Sequence, residues 1–141
     1  MGALSYFSPG DILKSCPLEL GAGDFCFLVA ELLTARYRLA VLWRLTDHDR
    51  KRYAHVFLRV SGVPLDIKGF RKLDAMYFDY NDYGLVAERV DARSVREFFD
   101  SKYSAEQRSA ASVVLSAYIG KHPEVFTDEP PEEAALERVR R

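Results

Sequence analysis

Three side chains in this sequence have the types that acyl chemistry requires: Cys26, His55 and Asp66. A thiol supplies the nucleophile, an imidazole moves its proton, and a carboxylate fixes the tautomer of the imidazole. The spacing of the last two is informative. His55 lies near the start of the run Tyr53 to Val60, Ser61-Gly62 reads as a two-residue turn, and Asp66 lies in the run Val63 to Lys68. Pairing two strands about Ser61-Gly62 sets residue i opposite residue 123 − i, so His55 falls opposite Lys68. Asp66, two positions from Lys68, points to the same side of the sheet as His55. A diagonal pair of this kind is within reach of long side chains. A carboxylate so placed raises the imidazole pKa above its reference of about 6.5. The competing reading is a histidine at a strand edge and an aspartate at a turn exit, both facing solvent.

The elements that must position these residues follow from pattern. Ser8-Pro9 opens a short helix that stops before Pro17, and Gly21-Ala22-Gly23 punctuates the chain. Asp24 is the next N-cap candidate. The stretch Phe25 to Arg36 is apolar nearly all round, which predicts a central helix buried on most sides. Tyr37–Leu45, Tyr53–Val60 and Val63–Lys68 read as strands, with Leu85–Val90 as a fourth short one. Phe70–Tyr80 reads as a helix, Asp91 caps another that runs through Tyr103, and Ser104 with Gln107 forms a capping box opening a last helix to about Ile119. The expected architecture is α+β (or α/β). A buried central helix packs on an antiparallel sheet of three or four strands, and two C-terminal helices cover a face or edge. Residues 1–127 form one domain, and 128–141, charged and containing Pro130-Pro131, reads as a flexible tail.

The order of helix and hairpin resembles the papain-like superfamily in its permuted form, which includes the transglutaminase-like proteins and the arylamine N-acetyltransferases. "AHVFLRVSGVPLDIKGF" is similar to their His–Asp hairpin. "GAGDFCFLVAELL" is similar to their nucleophile helix, which in many small bacterial members reads Gly-x-Cys-Gly-Asp-Phe-Ala before an apolar run. The resemblance covers Gly21 to Phe70 and implies a papain-like topology with a Cys-His-Asp triad. Aligning Gly23-Asp24-Phe25 on the motif puts Ala22 in the place of the nucleophile. Cys26 then falls one turn inside a helix that begins at Asp24, among apolar neighbours that make a thiol inert. Two functional expectations follow. The first is a non-catalytic interaction module, an inhibitor or adaptor on a degenerate papain-like fold, of bacterial or mobile-element origin. The second is a cysteine hydrolase or acyl transferase with Cys26 (or, as a weaker candidate, Cys16) as nucleophile, His55 as base and Asp66 as its orienting partner. That second reading requires the helix to begin later than Asp24.

The first reading also draws on a surface. Asp74, Asp79 and Asp82 alternate with Tyr77, Phe78, Tyr80 and Tyr83, with no basic residue among them. Tyrosine brings area and a polar handle at low rotamer cost, so Asp74, Tyr77, Asp79, Tyr80, Asp82 and Tyr83 are a candidate contact surface for a protein partner with a basic face. Asp47-His48-Asp49 lacks further ligands at metal spacing, and no metal or other cofactor is expected. The 141 residues carry 20 basic and 21 acidic side chains, a balance that gives no field for nucleic acid or an anionic membrane. No apolar stretch approaches the length of a membrane span. Two cysteines and no secretory pattern at Met1–Asp11 fit a cytoplasmic protein.

Overall fold

A computed structural model describes residues 8–47, 49, 53–80 and 84–132. The elements, in chain order, are α1 (Pro9–Leu13), α2 (Pro17–Ala22), α3 (Cys26–Thr34), β1 (Ala40–Thr46), β2 (Tyr53–Val60), β3 (Val63–Asp66), β4 (Gly69–Phe70), α4 (Leu73–Asp79), β5 (Val86–Arg89), α5 (Ala92–Asp100) and α6 (Ala105–Lys121). The fold is mixed α+β. Its one sheet among the described residues has the order β4-β3-β2-β1-β5, with every pairing antiparallel.

The sheet has five strands, not three or four. The extra one is β4. Gly69, at φ +96°, turns the chain back so that Gly69 pairs with Asp66 and Phe70 with Leu65. A two-residue strand is too short to show a period in sequence. A Cβ at Gly69 would also meet Val125 at 2.8 Å, so the C-terminal segment closes over this reversal.

Alternation along β2 divides the core. Val56, Leu58 and Val60 face α3 in the main cluster, with Phe25, Phe27, Leu33, Leu65 and Phe126. Phe57 faces the other way and packs with Leu45 and Met76, with Trp43, Leu73, Tyr77 and Tyr80 around them. The helical layer of α3, α5 and α6 thus covers one face, and α4 covers one end of the other. Between Leu45 and Thr46 the register slips: Leu45 pairs with His55 and Thr46 with Tyr53, so Ala54 is a bulge. The bulge reverses the alternation, and Tyr53 turns to the main core against Phe98 and Phe99.

The first helix stops before Pro17 as expected, and Pro17 begins a further helix, α2, because a proline at the first helical position lacks only an N–H that would be unpaired there. Gly21 sits inside this helix, where a Cβ would meet Ile67 at 2.7 Å; its bareness lets α2 lie against the exit of the β2–β3 hairpin. Asp24 does not cap α3. Its carboxylate accepts from Tyr103 Oη at 2.8 Å, and α3 begins only at Cys26, with Phe25 as N-cap. The caps Ser8, Asp91 and Ser104 act locally as their sequence indicates. No described helix is long and apolar enough to cross a membrane.

Candidate functional site

The hairpin carries two of the three candidate residues. Ser61 (φ 52°) and Gly62 (φ 82°) form the two-residue turn, and Leu58, Arg59 and Val60 pair with Leu65, Pro64 and Val63, the register expected for that turn. His55 Nε2 lies 2.9 Å from Asp66 Oδ2 and donates to it. Both side chains are buried. Asp66 accepts three further bonds, from the Lys68 backbone N–H at 2.9 Å and from Arg71 Nε and Nη2. Arg71 in turn reaches Asp79 through Nη1 at 2.6 Å, and Asp79 also pairs with Lys68 Nζ at 3.0 Å. Arg71 is the residue that the sequence reading missed. Only the reversal at Gly69 brings it beside Asp66, and no periodicity announces that reversal.

Cys26 completes the group from the other layer. It is the first residue of α3, and its Sγ accepts from the Val56 backbone N–H at 3.3 Å. The β3 pairing with β2 extends no further than Leu58 opposite Leu65, so the thiol takes the place a strand partner would occupy beyond that point. His55 Nδ1 is buried and makes no hydrogen bond among the described residues. With Nε2–H given to Asp66, the neutral ring leaves the Nδ1 lone pair as an acceptor. Burial would lower the His55 pKa. The bond to Asp66 and the nearby Cys26 sulfur outweigh burial and hold it at about 9. Burial would raise Asp66, but the bond and charge of His55 and the Arg71 guanidinium hold it at about 2. A buried acid and base driven apart in this way mark a candidate site on physical grounds.

Tyr80 closes one side. Its ring lies 5.4 Å from that of His55, and its hydroxyl donates to Ala22 O at 2.9 Å. Burial, then the negative charges of Cys26 and Asp66, raise its pKa, so it stays a phenol. A cavity of about 510 Å³ opens on Cys26 and is lined also by Asp24, Asp47, Tyr53, Tyr80 and Phe99. That volume lies in the range of small-molecule sites.

Ala22 is the last residue of α2, a turn away from the start of α3, and does not stand at the head of the central helix. Cys16 is the N-cap of α2 and exposed. Of the acidic and tyrosine residues, Asp74 and Asp79 are exposed, with Asp79 paired to Arg71 and Lys68; Tyr77 is half-buried against the Leu45–Phe57–Met76 cluster, and Tyr80 is half-buried and turned to His55. Asp82, Tyr83 and His48 lie outside the described residues. Among the described residues no group of three or more His, Cys, Asp or Glu could hold a metal ion. Searches against protein-family models, curated proteins and solved structures return no match for this chain.

Proposed function

We propose that this protein is a cysteine-dependent acyl-transfer enzyme, a hydrolase or acyl transferase, in which Cys26 attacks a carbonyl, His55 carries the proton and Asp66 orients His55. One observation carries the reading: Cys26 heads α3 beside a buried His55, whose Nδ1 makes no hydrogen bond among the described residues. The order helix, histidine strand, aspartate strand is also that of the papain-like proteins with transglutaminase-like or acetyltransferase-like topology, and we read the fold in that sense. The alternative of a non-catalytic module drew on Ala22 as the degenerate nucleophile and on a free acidic-tyrosine surface. The place of Ala22 at the end of α2, the pairing of Asp79 with Arg71 and the bond from Tyr80 to Ala22 O favour the catalytic reading over it.

The chemistry follows from the charges. In this reading His55, with a pKa of about 9, holds the proton that Cys26 gives up, and Cys26 attacks as the thiolate. The thiolate attacks the acyl carbon, the S–C bond forms, and the leaving group departs with its electron pair, taking the His55 proton if it is basic enough to need one. Acylation removes the sulfur charge, which helps to keep His55 protonated. His55 therefore gives up its proton more readily and stands neutral, free to accept one, at the moment water or another acceptor must be deprotonated. The acceptor attacks the thioester, its proton goes to Nδ1, and the thiolate is expelled.

The test is acylation by p-nitrophenyl acetate. A burst of p-nitrophenolate equal to the enzyme concentration, with the acetyl group on Cys26 by peptide mass, is the expected result. Cys26→Ser should remove the burst while leaving the circular dichroism spectrum unchanged. Acetylation spread over lysines, or a burst that survives in Cys26→Ser, would falsify the assignment.

A further inference from the structure

The sheet face that α4 leaves open carries a second feature, independent of the cysteine site. Trp43 on β1 pairs with Arg89 on β5, and Val41, two residues earlier on β1, pairs with Arg59 on β2. Paired and next-but-one residues share a face, so Val41, Trp43, Arg59 and Arg89 point the same way. The Arg59 guanidinium lies over the Trp43 ring, 4.2 Å from its centroid. These residues and Leu39, which is 76% exposed, line a shallow hollow of about 320 Å³.

The charges there are unanswered. Arg36, Arg44, Arg71, Arg93, Arg96 and Arg108 each pair with a carboxylate. Arg59 and Arg89 have no carboxylate partner among the described residues, and Arg59 Nε is buried without any hydrogen-bond acceptor. A buried donor left unmade costs stability, so its retention on a face beside an exposed leucine and a tryptophan points to an acceptor that arrives from outside. We propose that this face docks an extended acidic peptide segment of a partner protein. Its carboxylates would be received by Arg59 and Arg89, and an apolar side chain on the same face of the segment, two residues from each acid, would lie on Trp43 and Leu39. Two arginines flanking an apolar strip fit acidic and apolar side chains that alternate along one face of an extended segment better than a phosphate backbone, which calls for a continuous basic track that a chain of net charge −1 does not supply.

Trp43 is the only tryptophan in the chain, so it reports its own occupancy. The experiment titrates the full chain with the capped peptide Glu-Ser-Leu-Ser-Glu, its Gln-Ser-Leu-Ser-Gln counterpart and a thymidine oligonucleotide, following tryptophan emission. The Glu peptide should change the emission saturably, and Arg59→Gln or the exposed-site variant Arg89→Gln should each weaken it about tenfold. The p-nitrophenyl acetate burst and the circular dichroism spectrum serve as folding controls for both variants. Absence of a saturable change at millimolar Glu peptide, equal response to the Gln peptide, tighter response to the oligonucleotide, or an Arg89→Gln variant that binds like wild type each overturns the proposal.

Discussion

Asp66→Asn is expected to lower the His55 pKa from about 9 and to destabilise the fold by about 3 kcal/mol, the cost of stripping one partner from a buried charged group. The amide can still accept from His55 and Arg71, but it removes the negative charge that both face. The pH dependence gives this prediction its sign. His55 is raised above its ordinary 6.5, so its contribution is complete below about that pH and is lost as pH rises through about 9. Asp66 is held below its ordinary 3.8, so its contribution is complete above that pH and is lost as pH falls through about 2. The difference between wild type and Asp66→Asn should therefore be greatest from about pH 4 to 6.5 and shrink on either side. Proton NMR titration of His55 and urea unfolding across this range check it. An unchanged His55 pKa, or a difference flat from pH 4 to 10, would count against the pair as the source of the shift.

The hairpin was legible because local rules alone decide it. Ser61-Gly62 adopts positive φ at both turn positions, and that turn fixes which residues face each other, His55 and Asp66 included. The start of α3 was not legible for the opposite reason. Asp24 has the type and place of an N-cap, but Tyr103, 79 residues away in the chain, takes its carboxylate. Without that long-range contact Cys26 reads as a residue inside the helix; with it, Cys26 heads the helix. Arg71 was hidden in the same way, since its place beside Asp66 depends on the two-residue β4 and on Gly69. The acidic run 74–83 has the composition of a contact surface, yet the same reversal gives Asp79 its cationic partners. What the residues do next to their neighbours in sequence was readable; what distant residues take from them was not.

The largest effect should come from His55→Ala. Removing the imidazole takes from Cys26 the group that holds and returns its proton, in a site where Cys26 is buried and water cannot substitute freely. Positioned acid–base groups are worth about 10² to 10⁴ in rate. Acetylation of Cys26 by p-nitrophenyl acetate is expected to slow by about 10³ at neutral pH, measured as the burst rate with the spectrum of the folded protein as control. A loss under threefold would mean that His55 does not activate the thiol.

The central claim is that Cys26 and His55 act as one reactive pair, and the protein contains its own control. Cys16 is exposed, whereas Cys26 is buried, so accessibility alone favours Cys16. The decisive measurement is the rate at which iodoacetamide alkylates each cysteine at about pH 6, well below the ordinary thiol pKa, read by peptide mass in wild type and in His55→Ala. The account predicts that Cys26 reacts faster than Cys16 in wild type and loses that advantage in His55→Ala. Alkylation of Cys16 first, with Cys26 silent in the folded wild-type protein, would contradict it.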